Sequence, residues 1–225
     1  MKITKIITTI AVLGASQAVQ AVTVSVGDST TAWNGYMNVF ELPANGGASV
    51  FGSGWGLGDL ATSFDDPNET ITFSPNTIGD PDPFWYQGGG APGNPGNKSM
   101  EANLYYQNDG GLAGQTVDFK GTIDAFTLTG SHVLQVFVRD FASDFSSSVD
   151  SFVTITAAGP FSVSLATIND PLRHVQYGFQ MKGENVWVTD VAPFGSAVIS
   201  SAPVPEPSST LLSLVGLAFV ARRRR

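Results

Sequence analysis

Along much of the chain, apolar and polar residues alternate one by one. Phe161, Val163 and Leu165 face one way and Ser162 and Ser164 the other. Val175, Tyr177, Phe179 and Met181 alternate with Gln176, Gly178, Gln180 and Lys182. Met100, Ala102, Leu104 and Tyr106 alternate with Glu101, Asn103 and Tyr105, and Val117 and Phe119 with Asp118 and Lys120. A period of two over such lengths predicts strands with one buried face. His132–Phe141 is the most continuously apolar run, which predicts a central strand covered on both faces. Turn signals separate the runs: Asn45-Gly46-Gly47, Asp109-Gly110-Gly111, Ala158-Gly159-Pro160 and Lys182-Gly183-Glu184-Asn185. The last of these predicts a hairpin between a strand over 173–182 and one over Val186–Val191. Gly88–Ser99 has no strand pattern and reads as a long loop. No long stretch keeps helical spacing, and no linker or repeat divides residues 22–202. The pattern predicts one all-β domain over 22–202, a single antiparallel β-sandwich or jelly roll.

The two ends follow another rule. Met1–Ala21 has a basic start at Lys2 and Lys5, an apolar middle over Ile6–Leu13, and a small-residue site at Val19-Gln20-Ala21. That is the form of a secretory signal peptide cut after Ala21, with Ala18 as a second position, and it predicts delivery to the Sec export machinery. At the other end an uncharged stretch of 14 residues runs from Ser208 to Ala221, followed by Arg222, Arg223, Arg224 and Arg225. As a short hydrophobic helix it would reach roughly 21 Å, at about 1.5 Å per residue. A bilayer core is about 30 Å thick, so the run is short for a permanent anchor. Pro205 and Pro207 stop such a helix from extending back into the domain. Terminal arginines stay on the cytoplasmic side.

Pro205-Glu206-Pro207, the apolar run and the arginine cluster occur in that order over residues 203–225, and together they resemble the PEP-CTERM sorting signal. The resemblance implies recognition by exosortase, a membrane-embedded cysteine transpeptidase of Gram-negative bacteria. It further implies transient inner-membrane insertion, cleavage near the PEP motif, and release to the cell surface or extracellular matrix. A plain tail anchor is the competing reading.

Composition narrows the chemistry. The chain has no cysteine, so an exported domain must be held by packing rather than by disulfides, and thiol catalysis is excluded. Six of the eleven basic residues lie in the two ends. Residues 22–204 keep Lys98, Lys120, Arg139, Arg173 and Lys182 against 18 acidic residues, a net charge of −13. Such a surface repels nucleic acid and anionic lipid and suits divalent cations.

The two histidines, His132 and His174, have no carboxylate at zinc-ligand spacing, and no Gly-x-Ser-x-Gly elbow is present. Asp65, Asp66, Asp80 and Asp82 lie in turn sequences. They are candidates for a structural calcium ion, the one cofactor the sequence suggests, because calcium takes several oxygen ligands from a loop. Paired carboxylates also run glycoside hydrolysis, but only across a cleft, which adjacency in sequence does not provide. Trp33, Tyr36, Trp85 and Tyr86 lie near turns with Asn and Gln beside them and are candidates for stacking on sugar rings. Trp187 reads as core. Thr70-Ile71-Thr72 and Thr154-Ile155-Thr156 are threonine pairs of the ice-binding kind, without the repeat that would array them.

The last third, from Asp140-Phe141 through Tyr177–Gln180 to Asn185–Val191, resembles the closing strands of galactose-binding-like jelly rolls, found in carbohydrate-binding modules. The expectation is therefore a non-enzymatic surface or matrix protein sorted by exosortase. Its alternatives are a carbohydrate-binding module recognising exopolysaccharide, then a polysaccharide-active enzyme or an ice-binding protein.

Overall fold

The computed structural model describes residues 21–201, which form two packed β-sheets. The strands are β1 (Ala21–Ser25), β2 (Asn34–Glu41), β3 (Ser49–Trp55), β4 (Thr62–Asp65), β5 (Thr70–Phe73), β6 (Lys98–Asp109), β7 (Thr116–Phe126), β8 (Val133–Phe141), β9 (Ser148–Ile155), β10 (Gly159–Ala166), β11 (His174–Glu184) and β12 (Ala197–Ser201). Four single 3-10 turns complete the elements, and three of them carry proline in the first turn. The expected signal peptide, except Ala21, and the expected C-terminal helix lie outside the described residues.

The first sheet is built on β7. Its first half pairs with β1 on one side and β10 on the other, and its second half pairs with β12, which leads on to β5 and β4. The second sheet runs β3-β2-β6-β11-β8-β9, antiparallel throughout. The expected sandwich is present. One pair departs from the antiparallel rule: β1 runs parallel to β7, with Val22 opposite Val117. The cleavage expected after Ala21 would leave Val22–Ser25 of β1 in place.

The alternation read from the sequence becomes the core. Met37, Val39, Met100, Leu104, Val136, Val175, Phe179 and Met181 face inward from the second sheet. They meet Ile71, Phe73, Val117, Phe119, Ile123, Phe161, Val163 and Ile199 from the first. Phe179 lies among Phe73, Phe119, Phe161 and Trp33, with ring centroids 5.1, 5.4, 6.0 and 6.5 Å away. β8 is an interior strand, flanked by β11 and β9, and is covered on both faces in its middle, where Phe137 is buried opposite the core side.

The expected hairpin over 173–191 does not form. β11 continues through Gly183 to Glu184, still paired with Gly183 opposite Met100. Gly183 is there because a Cβ would meet His132 Cδ2 at 2.5 Å. Asn185 ends the strand as a buried clamp. Its Oδ1 accepts from the Asn97 and Lys98 amides, and its Nδ2 donates to Trp85 O at 2.9 Å. Val186 makes one bridge with Thr77, and the segment then turns at Trp187–Asp190, where a second strand was expected.

Candidate functional site: a groove across the second sheet

The outer face of the second sheet carries a groove of about 480 Å³ lined by Tyr36, Asn38, Asn103, Tyr105, Gln107, Arg139, Phe141, Phe145 and Gln176. Apart from Phe145, which lies between β8 and β9, these are outward-facing positions of β2, β6, β8 and β11, which the strand pleat turns away from the core. The register lays them in rows across four strands. Tyr36, Asn103, Gln180 and Gln135 form one row, and Gln107, Gln176 and Arg139 another. Between them run Tyr105, Gly178 and Phe137.

Gly178, in the middle of β11, packs tightly on its neighbour strand. Its backbone comes so close to β6 that a Cβ would meet Leu104 O and the Cα of Tyr105, at 2.1 and 2.7 Å. Gly178 is itself buried, set between Tyr105 and the fully buried Phe137 in the register.

Amides hold the rows. Gln180 Nε2 donates to Asn103 Oδ1 at 2.9 Å, and Asn103 Nδ2 donates to Tyr36 O at 3.2 Å. Gln176 Nε2 donates to Gln107 Oε1 at 2.8 Å. Asn103, Gln176 and Gln180 are themselves buried, so these bonds fix the base of the groove in one arrangement. Tyr36 is 38% exposed. Burial pushes the Tyr105 hydroxyl above its ordinary pKa, Tyr36 adds to the shift, and Arg139 opposes it. Burial also pulls the Arg139 guanidinium down, against the attraction of Asp150 and Glu101.

The far end of the groove is aromatic. Phe145 has a left-handed backbone (φ 58°) and stacks flat on the His174 ring, at 4.4 Å and 3°. It also packs against Phe141 at 5.5 Å. His174 Nδ1 is 2.6 Å from Asp109 Oδ1. That hydrogen bond raises the imidazole pKa above 6.5 and lowers that of the carboxyl.

Of the aromatic residues expected to bind sugar, only Tyr36 lines the groove. Trp33 is a correction: at 7% exposure it belongs to the core, and its Nε1 donates to Asp28 O at 2.9 Å. Tyr86 is another, fully buried, with its hydroxyl donating to Ile78 O at 2.6 Å. Neither ring has a free face. Trp85 is half-buried against the core, edge-on to Phe84 at 4.7 Å and to Phe51 at 6.2 Å. Trp187 packs edge-on to Tyr86 at 5.2 Å.

The four carboxylates considered for calcium do not converge, and among the described residues no three acidic or histidine side chains gather as a metal site. Each closes a turn or ties two loops. Asp66 accepts from the amide and hydroxyl of Ser29, Asp65 from Asn68 Nδ2, Asp80 from the Asp82 amide, and Asp82 from the Phe84 amide. Asp140 and Asp144, four residues apart, do not face each other across a cleft either: Asp140 is fully buried on Arg173, and Asp144 caps Ser146 at the surface.

Sequence reasoning passed over Asn103, Tyr105, Gln107, Arg139 and Gln176 as site residues. For the β6 and β11 members the signal was the choice of amides and tyrosine for outward slots; for Arg139 it was a lone basic residue within the apolar run of β8.

Among the described residues no helix is long and apolar enough to cross a membrane. Neither the curated proteins nor the solved structures contain a match to the chain, so nothing in them supports the likeness to galactose-binding-like jelly rolls. A family model does match the C-terminal end: the PEP-CTERM protein-sorting motif, over residues 203–225. The chain thus carries a PEP-CTERM sorting motif behind its β-sandwich, the mark of a protein handled by exosortase on its way out of the cell.

Proposed function

We propose that this is a non-enzymatic protein of the cell surface or matrix, exported through Sec and released by exosortase. In this reading its sandwich holds exopolysaccharide in the groove of the second sheet. The observation that carries the reading is the lining of that groove, with two tyrosines and four amides set in register on a rigid sheet. Sugar rings stack on aromatic faces while amides bond their hydroxyls. A hydrolase needs two carboxyls flanking the scissile bond, and none of the nine lining residues is a carboxylate.

Affinity electrophoresis of the exported protein, through gels containing exopolysaccharide from the same cells, tests the reading. The wild type is retarded. Tyr105→Ala and Tyr36→Ala migrate freely while remaining folded by circular dichroism, because both side chains lie on the outer face of the sheet and outside the core cluster. Free migration of the wild type, or retardation indifferent to Tyr105, would sink it.

A further inference from the structure

We infer that the groove selects an acidic polysaccharide, with Arg139 receiving the carboxylate of a uronate unit. The inference rests on the groove being a polysaccharide site and adds the class of sugar.

The argument starts from the basic residues of the domain, which number five in an otherwise acidic stretch. Three hold a carboxylate closely: Lys98 on Glu41 at 3.1 Å, Arg173 on Asp140 at 2.8 Å and Lys182 on Glu101 at 2.7 Å. Lys120 stands 3.6 Å from Asp118, away from the groove and 40% exposed. Arg139 is different. Its side chain is only 16% exposed, yet its nearest carboxylate oxygen, Asp150 Oδ1, is 3.5 Å away. A charge-assisted hydrogen bond usually measures about 2.7–2.9 Å. The same Asp150 also accepts from Ser148 Oγ, and Glu101, the other acid acting on Arg139, is held by Lys182.

What fixes Arg139 is aromatic. Its guanidinium carbon lies 4.4 Å from the Phe137 ring centroid and 5.0 Å from that of Phe152. Stacking on ring faces leaves the in-plane N–H donors free. The guanidinium is therefore half-desolvated, held in place and short of acceptors, and it lines the groove beside Gln176. A planar fork of donors in that state matches a carboxylate, which it can bind with two parallel hydrogen bonds. A neutral sugar would leave those donors as they are.

The net charge of the domain opposes an acidic polymer at long range. At physiological ionic strength that field is screened beyond about 8 Å, whereas a direct pair in a partly dry groove is not.

The test uses the exopolysaccharide with its carboxyls intact or methyl-esterified, which removes the charge and keeps the backbone. The native polymer retards the exported protein, and the ester binds roughly tenfold more weakly, the size of one charge-assisted contact. Arg139→Gln erases the difference, and Arg139→Lys, which keeps the charge and loses the fork, restores only part of it. Equal binding of acid and ester, or an acid preference that survives Arg139→Gln, would overturn the inference. Equal binding that still depends on Tyr105 removes this inference and leaves the groove as a polysaccharide site. Binding of neither polymer removes both.

Discussion

Phe179→Ala is expected to cost about 3–5 kcal/mol of folding free energy, the range for emptying a large aromatic site in a packed core. Phe179 is fully buried, and its ring touches aromatic residues from both sheets: Trp33 in front of β2, Phe73 on β5, Phe119 on β7 and Phe161 on β10. Few side chains in this domain join so many elements. The chain has no cysteine, so the sandwich is held by packing of this kind and not by disulfides. A domain of this size loses roughly 2–4 °C of melting temperature per kcal/mol, so a drop of about 10 °C is expected. Leu172→Ala is the control: that side chain is 69% exposed and should change stability by less than about 0.5 kcal/mol. Denaturant melts of both variants decide the matter, and equal midpoints would mean that the sheets do not pack through Phe179.

Asp140→Ala should be comparably severe for a different reason. Asp140 is fully buried at the end of β8. Its Oδ1 accepts from Arg173 Nε at 2.8 Å, its Oδ2 from the Ile168 amide at 2.7 Å, and its backbone oxygen from Arg173 Nη2 at 2.8 Å. Truncation leaves the guanidinium, 11% exposed, without its counter-charge. Breaking a buried pair from one side costs about 3–5 kcal/mol, whereas replacing both partners by apolar groups is often nearly neutral. The double variant Asp140→Leu with Arg173→Met should therefore melt above Asp140→Ala. If the double variant is the less stable of the two, the pair is a net source of stability rather than a mutual dependency.

The parts of the fold that were legible in the sequence share one property: they are written in local alternation. β6, β10 and β11 show period two with apolar residues inward, and a one-residue error in reading them would have exposed the whole set. What alternation does not encode is which strand lies beside which. β1 is five residues long and pairs in parallel with a strand about ninety residues away, and nothing local marks that. The misread hairpin has a local cause. Gly183 and Asn185 carry turn chemistry, but the first is needed beside His132 and the second ties the 97–98 backbone to Trp85.

The site was harder to read. Aromatic residues near turns drew attention to Trp33 and Tyr86, yet their positions let them reach back into the sandwich and bury. The groove is made by register, which sets Tyr36 beside Asn103 and Gln176 beside both Gln107 and Arg139. Each of these residues alone looks like an ordinary surface position.

The account depends on the sandwich reaching the outside of the cell as a free domain. The intact mass of the native protein, measured with cell fractionation in parent cells and in cells lacking exosortase, tests this most directly. The account predicts a chain that begins at Val22 and ends near Pro205, found beyond the inner membrane in the parent alone. A chain still ending at Arg225, held in the inner membrane of both strains, would contradict it: the tail would be an anchor, and the matrix role would fall with it.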